Sequence, residues 1–229
     1  MKKPSKSPSK NANSATKAPG KKPIRTPVHK RPSGEIRLIG GHWKRIKLKV
    51  ADRPGLRPTP DRVRETLFNW LGQDLSGWRV LDAFAGSGAL GFEAASRGAS
   101  EVLLLECAAA LVASLQASQS RLGVSALRVE RSDALAWMAR CAAQRFDLVL
   151  LDPPFDADLS APALAAAARV VAPGGFVYLE SGEPLATWPD GLALHRSARA
   201  GAVHAQLFLA GTGPARTTLP PPTPEEEAT

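Results

Sequence analysis

The sequence predicts an α/β fold: a mostly parallel sheet flanked by helices, closed by an antiparallel C-terminal hairpin and preceded by a small N-terminal β/helix extension. Three observations carry this. From Arg79 onward, short apolar runs rich in Val, Leu and Phe alternate with Ala/Leu-rich stretches long enough to cross a sheet, which is the rhythm of parallel strands with helices on both faces. Two late runs follow each other with only a short turn between them. The 229 residues are 44% apolar, enough to bury a core without disulfide staples.

The elements follow in chain order. Ile36 to Ile39 and Ile46 to Val50 read as short strands flanking Gly40-Gly41-His42-Trp43-Lys44-Arg45. Thr59-Pro60-Asp61 supplies a capping hydroxyl, a first-turn proline and an acid for the helix dipole. It leads into Val63, Leu67, Trp70 and Leu71 at helical spacing, with an end near Gly72. Strands are expected at Val80–Phe84, Val102–Leu105, Ala126–Val129, Phe146–Leu151 and Phe176–Leu179, and helices at about 88–97, 108–122, 134–144 and 159–171. The closing hairpin spans about 192–198 and 203–209, joined through Arg199-Ala200-Gly201-Ala202. Four segments result: a basic tail over 1–34, the extension over 35–76, the main domain over 77–211 and a solvated tail over 212–229.

The net charge of +9 is unevenly spread: residues 1–64 sum to +16 and residues 65–229 to −7. Residues 1–34 hold ten Lys+Arg, six Pro and five Ser with no acid, a composition that favours disorder and excludes a transit-peptide helix. Clustered positive charge fits a polyanionic partner, although a solubilising tail has the same composition. Cys107 and Cys141 stand apart, so neither a disulfide framework nor a paired-cysteine zinc site is expected, and reduced thiols suit the cytoplasm. His29, His42, His195 and His204 show no metal-ligand spacing, and no metal is expected. No run approaches the ~18 apolar residues of a membrane span.

Gly86-Ser87-Gly88-Ala89-Leu90-Gly91 follows a strand, opens a helix and has Glu106 20 residues after Gly86, the pattern of a Rossmann-like nucleotide turn. Asp82 ends the first strand four residues earlier, where a carboxylate pointing above the glycines repels a pyrophosphate and holds a cation. S-adenosylmethionine carries an ammonium and a sulfonium, and the glycines allow close approach. The reading thus moves from a dehydrogenase to a class I S-adenosylmethionine-dependent methyltransferase. Phe84, Ser87 and Gly88 belong to the same turn. Glu106 is suited to the ribose hydroxyls and Asp133 to the adenine amine, with helix capping the alternative for each acid.

Asp147 to Leu151 is a buried strand running into Asp152-Pro153-Pro154-Phe155. A nucleobase exocyclic amine is a poor nucleophile because its lone pair is delocalised into the ring. Hydrogen-bond acceptors draw the nitrogen toward tetrahedral geometry. The Asp152 carboxylate and Pro153 carbonyl can each accept an N–H, the prolines hold both in place, and Phe155 offers a stacking face for a base removed from its helix.

Four stretches carry a family resemblance: Arg37-Leu38-Ile39-Gly40-Gly41-His42-Trp43, Arg57 to Leu71 (Arg-Pro-Thr-Pro-Asp-Arg-Val-Arg-Glu-Thr-Leu-Phe-Asn-Trp-Leu), Leu81 to Gly91, and Asp152-Pro153-Pro154-Phe155. Over residues 36–210 the chain resembles the bacterial 16S ribosomal RNA guanine-N2 methyltransferase family, RsmD-like. The resemblance implies methylation of the N2 of guanine 966 of 16S rRNA within the small ribosomal subunit or an assembly intermediate; a monomer is expected separately. It further implies that the Arg57–Glu65 run lies over the cofactor with Thr59 near its methionine end. The basic unit, with Arg37, His42, Trp43, Lys44, Arg45, Arg57 and Arg62, is then the side that meets RNA. Trp43 is suited to stacking on a base, or to covering a sheet edge. The long basic tail departs from the compact family pattern.

Three other functions fit parts of the sequence. An adenine-N6 or cytosine-N4 DNA methyltransferase needs the same amine acceptors. An NAD-dependent oxidoreductase uses the glycine fingerprint, although Asp82 opposes it. A noncatalytic RNA-binding or assembly factor accounts for the basic unit, although it has no need of Asp82 and Asp152.

Overall fold

The computed structural model describes residues 34–49 and 61–211. The predicted tails, Val50, and the segment from 51 to 60 that includes Arg57 and Thr59 lie outside the described residues. Strands β1 (Glu35–Arg37) and β2 (Lys47–Lys49) form a small antiparallel pair. Helix α1 (Asp61–Leu71) follows, burying Val63, Leu67 and Phe68 along one face.

The main sheet contains β3 (Arg79–Asp82), β4 (Glu101–Glu106), β5 (Leu127–Arg131), β6 (Phe146–Leu151), β7 (Val171–Ser181), β8 (Leu192–Ala200) and β9 (Val203–Ala210) in the spatial order β5-β4-β3-β6-β7-β9-β8. The first five strands in that order are parallel, and β9 is antiparallel to both of its neighbours. Helices α2 (Ala89–Ser96), α3 (Ala109–Leu122), α4 (Ala134–Arg140) and α5 (Ser160–Val170) make the crossovers. The central strands are apolar on both faces, as expected of strands covered on both sides by helices.

Strand parity divides the core in two. Val80, Leu104, Leu148, Leu150, Tyr178 and Leu207 pack with α1, α2 and α3 on one face. Leu81, Leu103, Val149, Leu151, Val177 and Leu179 pack with α4 and α5 on the other. After β3 the chain builds outward to β4 and β5, then returns to lay β6 on the opposite side of β3. The carboxyl ends of β3 and β6 therefore flank the topological switch point, where open α/β sheets bind ligands.

Two boundaries differ from expectation by more than a residue or two. Helix α4 ends at Arg140 instead of continuing to 144, because Cys141 is extended and Gln144 has a positive φ of 55°. That turn lets Arg145 donate to the Val170 carbonyl and start β6. Strand β7 begins at Val171, five residues early, and an irregularity in its register with Phe146 and Leu148 accommodates Pro173-Gly174-Gly175.

The β1–β2 unit is fastened to the carboxyl end of α2. The Ser96 hydroxyl donates to the Gly40 carbonyl at 2.6 Å, and its oxygen accepts from the Trp43 amide at 2.9 Å. The His42 amide donates to the Ser96 carbonyl, and the Ile39 amide to Glu93 Oε2. Glu93 is fully buried and also receives Arg97 at 2.9 Å, while Arg64 Nη1 of α1 lies 3.6 Å away. Arg64, fully buried too, binds the Arg37 carbonyl and Asp61 through Nη2. One buried charge cluster thus joins the extension, α1 and α2.

Candidate active site

The glycine turn combines positive φ angles with tight packing against neighbouring side chains. Gly86 and Gly88 have φ of 50° and 80°, a region that favours glycine. A Cβ on Gly88 would come within 2.6 Å of Leu115 and 2.7 Å of Phe92. Glu106, at the end of β4, holds the turn from the side: Oε2 accepts from the Gly86 amide at 3.0 Å and Oε1 from the Ala108 amide at 2.8 Å.

Asp82 requires a correction. The sequence reading has its carboxylate opening into the space above the glycines, yet Asp82 is 2% exposed and turns beneath the turn, where Oδ2 accepts from the Gly91 amide at 2.9 Å. The cause is parity: Asp82 faces α2, and only a glycine at 91 leaves room for it, since a Cβ there would lie 3.0 Å from Oδ2. Burial pushes the Asp82 carboxyl up to about 7. The Gly91 amide opposes this, and the charges of Asp152 and Glu106 reinforce it.

Phe84 is half-buried against the α4–α5 face, and its backbone also stabilises the Asp82 carboxylate. Ser87 is half-buried within the turn. Asp133 is exposed and caps α4, its Oδ1 accepting from the Ala136 amide at 2.8 Å. The capping alternative is therefore realised, and Oδ1 is the oxygen so engaged.

Asp152 follows β6 directly. Leu150 pairs with Asp82 in the β3–β6 register, so Asp152 lies two residues beyond, on the same face of the next strand. Pro153 is buried and Pro154 exposed. Phe155 opens a single 3₁₀ turn, Phe155–Ala157, and is 49% exposed, an unusual state for a large aromatic residue. A Cβ on Gly182, just past β7, would approach its ring at 3.7 Å, so bare backbone supports one side of the phenyl group.

The structure also brings in residues that the sequence reading missed. Glu180, near the end of β7, is 2% exposed and accepts the Tyr178 hydroxyl at 3.0 Å. The Tyr178 phenol is raised well above its ordinary range by burial, then by the charges of Glu180 and Asp152. The available signal was an acid at a strand's carboxyl end, the pattern already used for Asp82, Glu106 and Asp152. Glu93 and Arg97 were missed because an acid and a base at i,i+4 read as an exposed helix pair.

The basic residues separate into groups. His42, Lys44 and Arg45 are exposed, Trp43 is half-buried against the core, and His42 meets it edge-on at 5.2 Å. This turn is anchored at the far end of α2 from the glycines, about 12 Å along an eight-residue helix. Arg37 pairs with Asp61 at 3.3 Å, and Arg62 is exposed on α1. A cavity of about 410 Å³ lined by Ser76, Trp78, Asp147 and Gly174 lies at the opposite end of β3 and β6 from the acids. Among the described residues no three His, Cys, Asp or Glu side chains are grouped to hold a metal.

A glycine turn over the first parallel strand, acids at the carboxyl ends of β3, β4 and β6, and an antiparallel strand inserted beside the last parallel one define the Rossmann-like methyltransferase fold. The family model described as Conserved hypothetical protein 95 matches residues 36–209. The chain belongs to this family, that of ribosomal RNA small subunit methyltransferase D. It is 42% identical over 184 residues to the Escherichia coli K12 protein of that name, covering 77% of this chain and 90% of the relative. The Haemophilus influenzae protein of the same name is 38% identical over 194 residues, covering 82% and 98%. The solved structure of yhhF from Escherichia coli superposes with a TM-score of 0.70 at 40% identity, covering 79% of this chain and all of that one.

Proposed function

We propose that this protein methylates the exocyclic N2 of a guanine in 16S rRNA of the small ribosomal subunit, guanine 966 by the family resemblance, using S-adenosylmethionine. The observation that carries the reading is the placement of Asp82 and Asp152 on adjacent strands at the switch point, one beneath the glycine turn and the other opening the Pro-Pro-Phe segment. The residues fit the cofactor. Asp82 is a buried carboxyl whose raised proton affinity a cation would relieve, Gly86 and Gly88 hold the turn at the positive φ that keeps side chains off it, and Glu106 stands at the turn's edge. Asp82, Phe84, Gly86, Ser87, Gly88, Glu106 and Asp133 would hold it, with Thr59 from outside the described residues. When bound, S-adenosylmethionine supplies an electrophilic methyl group on a cationic sulfur.

The chain's own work is orientation. Asp152 and the Pro153 carbonyl accept the two N2 hydrogens, which localises the nitrogen lone pair and aims it along the transfer axis. Phe155 stacks on the extruded base, and the rigid prolines keep the three groups in register. Asp152, or water beside it, takes the proton once nitrogen has become cationic. Arg37, His42, Trp43, Lys44, Arg45, Arg57 and Arg62 contact the RNA backbone away from the reacting atom, and the basic residues 1–30 add phosphate contacts without selecting the target. The reaction belongs to the cytoplasm, where small subunits assemble.

The test is incubation with labelled S-adenosylmethionine and small subunits lacking base methylation, followed by mass spectrometry of nucleosides. N2-methylguanosine at one position is expected. N6-methyladenine, N4-methylcytosine, or labelling only of DNA overturns the base and substrate assignment. Asp152→Ala is expected to abolish turnover with cofactor affinity within a few fold of wild type, whereas loss of cofactor binding in that variant assigns Asp152 a structural role.

A further inference from the structure

Glu180 is buried two strand positions beyond Tyr178, close to the carboxyl end of β7. Leu151 pairs with Leu179 in the β6–β7 register, so Asp152 and Glu180 are the next neighbours on facing strands, about 5 Å apart in the sheet direction. Both lie on the α1–α2 face, with Tyr178, Leu150 and Asp82. The Tyr178 hydroxyl donates to Glu180 Oε1 at 3.0 Å, which fixes that carboxylate. Asp152 is also close enough for its charge to act on the phenol. Three polar groups therefore converge at the place where the amine is held. Asp152 is half-buried and Glu180 buried, so the two carboxylates set hydrogen-bond acceptors side by side at the ends of β6 and β7.

Guanine presents two donors side by side, N1–H and N2–H₂, whereas adenine has an acceptor at N1. An acceptor for N1–H has to stand next to the acceptor for the N2 hydrogens. We infer that Glu180 is a specificity-determining residue that accepts the N1–H of the target guanine, so that Asp152 and Pro153 hold the reacting amine while Glu180 rejects bases lacking that donor. Tyr178 is the positioning residue that keeps Glu180 in place. This inference rests on the proposed guanine-N2 reaction.

2-Aminopurine separates the two roles, because it keeps the N2 amine and replaces N1–H with an acceptor. The substrates are small subunits carrying guanine or 2-aminopurine at the target position, and the readout is the ratio of their kcat/KM values. Wild type is expected to favour guanine on the order of 10²-fold or more, because a mismatched buried polar edge is strongly rejected. Glu180→Gln offers an amide that donates to the 2-aminopurine N1, and the ratio is expected to fall to within about tenfold. Cofactor affinity and melting temperature report whether the variant folds. If Glu180→Gln fails to fold, Tyr178→Phe carries the test, with the ratio expected to fall part of the way. A variant that folds and slows both substrates equally, with the ratio unchanged, overturns the assignment and leaves Glu180 as a partner for Tyr178 only. If wild type forms no N2-methylguanosine on guanine subunits, it is the proposed reaction that fails.

Discussion

The Asp82 carboxylate and the Gly91 amide meet at 2.9 Å beneath the glycine turn, and the missing side chain of Gly91 is what lets them meet. A Cβ there would lie 3.0 Å from Asp82 Oδ2 and 2.7 Å from Leu104 Cδ1. Gly91→Ala is expected to displace Asp82, destabilising the protein by about 1–3 kcal/mol through overpacking and weakening cofactor binding roughly tenfold. Thermal melts and calorimetric titration check the two effects separately.

The Asp82 carboxyl, raised to about 7 by burial, makes both stability and binding pH-dependent. The unfolded chain ionises this group at its ordinary 3.8, so between 3.8 and about 7 the folded protein keeps a proton that the unfolded chain has lost. The contribution to ligand-free stability therefore falls as pH rises through that window and levels off above it. Binding a cation favours the ionised form, so affinity is expected to rise up to about tenfold per unit as pH climbs toward 7, with proton release. Titrations from pH 5.5 to 8.5 in buffers of different ionisation enthalpy measure that proton, and Asp82→Asn is expected to remove both slopes.

Glu93 holds three elements at once through the Ile39 amide, Arg97 and Arg64. Glu93→Ala leaves the buried Arg97 guanidinium without its carboxylate and Arg64 with Asp61 alone, which is expected to destabilise by about 3–5 kcal/mol. Hydrogen exchange at Ile39, His42 and Trp43 is expected to rise more than in β3 or β6, because the extension loses its anchor first. Uniform protection across the protein in that variant would contradict the anchoring role.

Phe155 is half exposed and buries little, so Phe155→Ala is expected to change stability by under about 0.5 kcal/mol. Loss of a base-stacking ring is expected to lower methylation roughly 10- to 100-fold. Melting curves together with single-turnover rates on small subunits make the comparison, with Phe155→Trp expected to recover most of the rate.

Much of this was legible in the residues, and the legible part is where one local signal dominates. Phe146–Leu151 is apolar on both faces and bounded by an acid and prolines, so its span was read to the residue. The glycine turn and Asp152-Pro153-Pro154-Phe155 announce themselves because their chemistry is contiguous. What escaped depends on pairing. The direction of the Asp82 carboxylate follows from which face α2 covers, and the value of Glu180 follows from the β6–β7 register. Helix α4 stops early because Arg145 is needed by Val170, a partner 25 residues away. The resemblance puts the turn at His42–Arg45 on the RNA side as an expectation, but its distance from the glycines depends on Ser96, which carries no motif.

The last strand among the described residues, β9, does not close the sheet at its rim but is threaded between β7 and β8, where Leu207 and Phe208 are fully buried. Until Val203 to Ala210 emerge from the ribosome, β7 has an open edge and β8 has no neighbour in the main sheet. A chain cut short before Val203 thus exposes a long apolar strand edge and is a candidate for aggregation and proteolysis. A fusion attached after Gly211 leaves all seven strands of the main sheet in place. The integrity of the sheet thus depends on β9, far along the chain from Asp82 and Asp152.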